Sequence, residues 1–322
     1  MEQFWNLLDE PDRSLLYRRG EAGDPRYGET VSTDRNKFDS GFAAVIIGFP
    51  YDEGTVRNKG RAGSSFGPDE IRRAFYKLTP TKSFALKDGV TKLFDAGNVK
   101  REMRLEDALA HLESVVTHML KSGLVPVVLG GSNDLSYPDF RACKKSLGRC
   151  GAINIDSHLD MRDYSDGINS GTPYRMLIDE RSLNGRDFVE YGIQEFANSR
   201  DHLAYAREAG VQVYTITQIH AQKNNEAFMA AYRVVSAEAE GVYVSIDIDS
   251  VRACDAPGVS APSPSGLTVD EILECAYLAG TEEKTKMIDV CEFNPKYDID
   301  AHTAKLAAMI VSNFLAGLSN RQ

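Results

Sequence analysis

The chain has 322 residues, 26% of them charged and 42% apolar, and carries a net charge of −10. An acidic balance without a basic run excludes nucleic acid as a partner, and no apolar stretch of about 18 residues is present to span a membrane. Met1-Glu-Gln-Phe-Trp5 lacks the basic flank and apolar core of a secretory signal. The five cysteines (Cys143, Cys150, Cys254, Cys275 and Cys291) are odd in number and lack CxxC spacing, which predicts free thiols in a reducing cytoplasm.

No repeat, low-complexity tract or linker marks a boundary. One domain is expected over 41–322, preceded by a polar, turn-rich surface segment over 1–40 in which Phe4, Trp5, Leu7 and Leu8 can pack on the body. Phe42–Phe49 is an unbroken apolar run, the pattern of a strand buried on both faces. A loop follows from Pro50 to Gly54, then Asn58-Lys-Gly-Arg-Ala-Gly63. Pro68 starts a helix with Ile71, Phe75 and Leu78 on its inner stripe. Lys92–Gly97 reads as a short strand. Leu105–Leu120 has helical apolar spacing, with Gly123 just beyond its end. Leu124–Leu129 is the next buried strand and ends in Gly130-Gly-Ser-Asn-Asp-Leu-Ser136, where the glycine pair allows a tight turn beneath a ligand.

Strands are then expected at Gly151–Ile155, Phe188–Ile193, Val211–Ile216, Val242–Ile248 and Lys286–Cys291. Helices are expected around 200–209, from a cap at Thr268 and Asp270 to Ala279, and over 301–318. Apolar strands alternating with helices predict a single α/β domain of three layers, with a central parallel sheet of about eight strands. Ligands of such sheets bind outside the carboxyl ends of the strands.

Those ends carry the chemistry. Gly151–Ile155 runs into Asp156, His158 and Asp160, and side chains at i, i+2 and i+4 of an extended chain point one way. Ser245-Ile-Asp-Ile-Asp249 again ends a strand in acids at i and i+2. Four carboxylates and one imidazole in one cleft repel unless neutralised, and two divalent cations would do so. An oxygen-rich set with one imidazole favours Mn²⁺ over Zn²⁺. Two such ions lower the pKa of a shared water, which predicts hydrolysis.

These residues resemble the ureohydrolase superfamily of arginase, agmatinase and formiminoglutamase from 42 to about 315. The motifs recur in order: the Gly-Gly turn at Gly130, Asp-x-His-x-Asp at Asp156, Ser-x-Asp-x-Asp at Ser245 and Glu-x-Asn-Pro at Glu292. Asn58–Gly63 with Gly67-Pro68, Ser170-Gly-Thr-Pro-Tyr174, Gly192-Ile-Gln and Ala256–Pro262 bring the chain nearest to the formiminoglutamase branch. The resemblance implies an arginase-like fold, a homotrimer, and manganese-dependent hydrolysis of N-formimidoyl-L-glutamate to L-glutamate and formamide, a step of histidine degradation, by attack of a metal-bridging hydroxide. It implies Asp156, Asp160 and Asp249 as ligands around the shared water, with His158 and Asp247 completing the B site.

The A site of the family takes a His where this chain has Asn133, a neutral and poorer donor, so weak or partial occupancy is expected there. Asp134 is a substitute one residue on. Asp160 is expected to accept the nucleophile's proton and Glu292 to hold the protonated imino group. Tyr174, where arginases carry His, is a candidate hydrogen-bond donor. Arg162 stands where arginases place an Asn that recognises the amino acid, and its fork suits a carboxylate of glutamate; Ser170 and Thr172 are further substrate-binding candidates, Arg61 and Arg175 weaker ones. The alternatives are another guanidino or formimino substrate, or an arginase-like protein in which Asn133 has abolished catalysis.

Overall fold

The computed structural model describes residues 2–21, 23–39, 41–81, 92–101 and 104–321. Its strands are β1 (Leu8–Asp9), β2 (Ala44–Phe49), β3 (Leu93–Val99), β4 (Val125–Gly130), β5 (Cys150–Ile155), β6 (Phe188–Ile193), β7 (Gln212–Thr215), β8 (Gly241–Asp247) and β9 (Thr285–Cys291). They form one sheet in the order β1-β3-β2-β4-β9-β8-β5-β6-β7. The eight expected strands are all parallel to one another. The ninth, β1, pairs antiparallel with β3 through Leu8 opposite Val99, so the outer edge of β3 is covered rather than left open.

Strand alternation divides the interior into two cores. In β2, Ala44 and Ile46 join the core that contains helices Gly67–Phe75, Asn224–Ser236, Val269–Thr281 and His302–Leu318. Val45, Ile47 and Phe49 join the other, with helices Leu105–Lys121, Ser136–Leu147, Pro173–Asp179 and Arg200–Ala209. Both faces are thus sealed, which is why the strands read as continuous apolar runs. Residues before 41 contribute to these cores: Leu8, Leu15 and Tyr27 are buried, and Phe4 stacks on His118 with ring centroids 4.0 Å apart.

Local chemistry sets the helix ends. Thr268 and Glu271 close a capping box at the start of Val269–Thr281. The Asp298 carboxylate accepts from the N–H groups of Thr303 (2.9 Å) and Ala304 (3.1 Å) and so starts the last helix. Pro68 and two acids open helix Gly67–Phe75. That helix sends Arg72 into the interior, where Nε and a terminal nitrogen donate to the two Asp95 oxygens at 2.8 and 3.0 Å. Tyr76 donates to the same carboxylate at 2.5 Å. Among the described residues no helix is long and apolar enough to cross a membrane.

Candidate metal centre and active site

The site lies at the carboxyl ends of β4, β9, β8 and β5, four neighbours in the middle of the sheet. Register pairing puts Ile155 beside Ile246 and Asp247 beside Cys291, so the residues that end these strands form a row. Asp156 follows β5, Asp247 ends β8, Glu292 follows β9 and Asn133 lies on the turn after β4. All four are buried. Asp160 and Glu292 have left-handed backbone (φ 47° and 61°), which turns the chain sharply at the two places where a carboxylate must face back over the strand ends.

Oxygen and nitrogen atoms of Asp156, His158 and Asp249 lie within 4.8 Å of one another, and so do those of Asp156, Asp160 and Asp247. Asp156 therefore bridges the two groups. This corrects the expected grouping: Asp247 stands with Asp160, and Asp249 stands with His158. The His158 Nδ1 lies 3.4 Å from both Asp156 and Asp249.

Attraction to Asp249 pushes the His158 imidazole up to about 12. Burial raises Asp156, Asp160 and Asp247 above the usual carboxylate range, with repulsion from neighbouring carboxylates added. Burial likewise pushes Glu292 up to about 8. The protein supplies too little positive charge for this row. The Asp249 Oδ1 is buried and takes no hydrogen bond. An oxygen-rich donor set with uncompensated acids and an unused ligand atom fits hard divalent cations.

Asn133 is in the row, but it presents its amide nitrogen. Nδ2 donates to Asp160 at 2.5 Å and reaches Asp156 at 3.5 Å. Its Oδ1 accepts from the Ser136 hydroxyl at 2.6 Å, with the Cys291 thiol at 3.4 Å. Asp134 does not replace it, since that carboxylate is buried against Gly54 and takes the Ser132 hydroxyl. Burial raises the Cys291 thiol, so it stays protonated beside the site. Glu292 Oε1 accepts from the Asn133 N–H and the Thr55 hydroxyl, both at 2.9 Å, which leaves Oε2 for the cleft that the residue lines.

The cleft above the row encloses about 340 Å³. It is lined by Asp160, Asp247, Asp249 and Glu292, and by the substrate-binding candidates Arg162 and Ser170. Ser170 accepts from Asn58 at 3.1 Å, which ties the loop after β5 to the loop after β2. Two expected contacts are absent. Tyr174 is fully buried, stacked on Phe188 at 4.7 Å, and its hydroxyl faces the interior rather than the cleft. Thr172 is also buried and spends its hydroxyl on the Asn169 backbone at 2.9 Å. Both belong to the start of helix Pro173–Asp179, which carries them under the sheet ends. Arg175 packs over Tyr205 outside the cleft. Arg61 lines the cleft, but its guanidinium is bonded to the Val259 and Ser260 carbonyls and lies over Tyr297.

One step below the metal row is a second polar row that the sequence did not disclose. Glu190, Asn154, Ser245 and Asp289 pair in register across β6, β5, β8 and β9. All four are fully buried. Asn154 donates to Glu190 at 2.9 Å and to Asp156 at 3.2 Å, so it fixes the bridging carboxylate from behind. Ser245 donates to Asp289 at 2.9 Å and lies 3.2 Å from Ser136, the residue that holds Asn133. Two of the four had a signal in hindsight: Asn154 and Ser245 are polar residues two places before Asp156 and Asp247 in apolar strands.

The fold and this constellation define the class. The arginase-family model matches residues 42–317, and the chain belongs to that family; it is a ureohydrolase-type metallohydrolase. Within the family it is 35% identical over 291 residues to the formimidoylglutamase of Hahella chejuensis, covering 87% of this chain and 86% of that one. It is also similar to the crystal structure of Trypanosoma cruzi formiminoglutamase with two Mn²⁺ ions, at TM-score 0.85 and 34% identity, covering 93% of this chain and all of that one. The Bacillus subtilis formimidoylglutamase structure matches at TM-score 0.85 and 26% identity, over 96% of this chain and 98% of that one.

Proposed function

We propose that this chain hydrolyses N-formimidoyl-L-glutamate to L-glutamate and formamide with two Mn²⁺ ions as cofactor. The observation that carries the reading is one cleft with an acidic row fit for two cations at its floor, Glu292 beside it, and an uncommitted Arg162 guanidinium at its rim. The relatives named above support it by their activity. Asp156, His158 and Asp249 would hold one ion, and Asp156, Asp160, Asp247 and Asn133 the other. Ions held there lower the pKa of water and so supply a nucleophile at neutral pH.

The residues of the chain do the rest. Glu292 Oε2 binds the protonated imino group, and its Oε1 is fixed by Asn133 and Thr55. Arg162 holds a carboxylate of the glutamate portion as a fork. The water oxygen adds to the formimino carbon. Asp160 accepts the proton that water loses and returns it to the amine nitrogen as the C–N bond breaks. Atoms balance: water and the amidine become formamide and glutamate.

To act as a ligand Asn133 must turn its amide over and present Oδ1. The hydroxyls behind it allow this, since each can donate or accept. Nδ2 then donates to Ser136, Ser136 donates to Ser245 across their 3.2 Å contact, and Ser245 keeps its bond to Asp289. That rearrangement makes the Asn133 site the weaker of the two. The test is to strip the protein of metal, add Mn²⁺ in steps, and follow bound metal and glutamate release together. Turnover that rises as the second ion binds supports the reading. Two bound ions without turnover of N-formimidoyl-L-glutamate refute it.

A further inference from the structure

Three cleft-lining side chains carry a fixed positive charge: Lys59, Arg61 and Arg162. Arg61 is committed to the Val259 and Ser260 carbonyls. Lys59 and Arg162 make no ion pair among the described residues, although acids are plentiful in this chain. Two cations free of ion pairs therefore line one cleft whose other charged groups are mostly acids.

They also come from different sides of the site. Lys59 follows β2 and Arg162 follows β5, and β4, β9 and β8 lie between those strands. The backbone of Lys59 is fixed. Its N–H donates to the Val56 carbonyl at 2.9 Å, and the next N–H, of Gly60, donates to Thr55 at 2.8 Å. The neighbouring Asn58 is tied to Ser170. Lys59 has φ 65°, a left-handed position in a sequence where Gly60 follows directly. This conformation ends helix Glu53–Arg57, whose last carbonyls take those two N–H groups, and it sets Lys59 in the lining of the cleft.

On the reading above, the substrate has two carboxylates. One lies three bonds from the formimino carbon and the other lies five. Arg162 is two residues from Asp160, and its stem packs on Gly171, where an added Cβ would meet Cδ at 2.6 Å. It is thus held next to the reacting end and reaches the nearer carboxylate. Lys59 is exposed and lines the cleft from the loop after β2, on the other side of the site from Arg162. His202 lines the cleft too, but burial, with Arg162 and Arg175 adding to it, lowers its pKa, so it is neutral at pH 7.

We propose that Lys59 forms a second carboxylate subsite, which binds the γ-carboxylate of the substrate and makes the enzyme select glutamate over its uncharged analogues. This rests on the hydrolase reading and extends it. The residue binds substrate and takes no part in the bond change.

The test compares N-formimidoyl-L-glutamate with N-formimidoyl-L-glutamine, which differs only in its neutral γ-amide, using the Mn²⁺-loaded protein and its Lys59→Gln variant. A charged hydrogen bond of this kind gives roughly 10- to 100-fold in kcat/KM. The wild type is expected to favour the glutamate compound by that factor, mainly through KM. Lys59→Gln is expected to lose that preference while its rate on the glutamine compound stays as it was. Lys59→Arg is expected to restore most of it. Lys59→Gly, which relieves the left-handed backbone, is expected to fold at least as stably and to lose the same preference. Equal losses on both compounds, or no loss on either, overturn the subsite while the hydrolase reading stands. No turnover of either compound by the wild type overturns both.

Discussion

Glu292→Gln separates charge from shape at the cleft floor. The amide keeps Oε1, and with it the bonds from the Asn133 N–H and the Thr55 hydroxyl, both 2.9 Å. The left-handed backbone at φ 61° suits Gln no worse than Glu. What is lost is the negative charge opposite the protonated imino group, in a pocket where Glu292 is 5% exposed. Removing one partner of a buried, hydrogen-bonded charge pair costs about 3–4 kcal/mol, so kcat/KM should fall roughly 100- to 1000-fold. Bound Mn²⁺ should be unchanged, because Glu292 is in neither ligand group. The metal-free protein should be no less stable, since one buried acid has been neutralised. Steady-state glutamate release, metal analysis and thermal melting give the three readings. A kcat/KM within fivefold of wild type, with metal retained, would refute the role assigned to Glu292.

Asn133→His places an imidazole where a neutral amide must now turn over, and it should raise the metal retained after desalting at limiting Mn²⁺. Unchanged metal content means that Asn133 does not limit the second site. The metal-free protein should lose stability as pH rises. Burial lifts Glu292 to about 8 and Asp134 and Asp289 to about 7, so between their ordinary values and these the unfolded chain releases protons that the folded chain keeps. Melting temperature should therefore fall from about pH 4.5 to about pH 8, and Mn²⁺ should recover most of the loss at the upper end; a flat or rising profile contradicts the uncompensated acid row. Arg72→Met leaves Asp95 buried without its cation and should cost about 3–5 kcal/mol in urea unfolding, whereas a cost below about 1 kcal/mol would show that Tyr76 alone satisfies the carboxylate.

The central strands were legible because both faces are buried and the runs are largely apolar, and the candidate ligands stood out because they are polar residues that end those runs. Ligand grouping was not. Spacing along one strand cannot tell whether Asp247 or Asp249 faces Asp160, because that depends on the turn after β8 and on the left-handed turn at Asp160. Tyr174 and Thr172 were misplaced for a related reason. Pro173 starts a helix that turns them inward, and in sequence they read as the tail of a loop. The second polar row was hidden because each strand gives it a single residue, and only lateral pairing brings the four together.

β9 comes last of the strands in the chain yet lies at the centre of the sheet, between β4 and β8. Until Thr285–Cys291 has been synthesised, both neighbours expose an open edge and the two halves of the sheet have no strand in common. Glu292, the next residue, is missing for the same time. On the ribosome the chain therefore passes through a long interval with two unpaired, apolar strand edges, the kind of species that chaperones bind and that aggregates when it is crowded. Metal ions cannot shorten that interval by templating the whole centre. Asp156 and His158 are made early, but Asp247 and Asp249 follow only with β8.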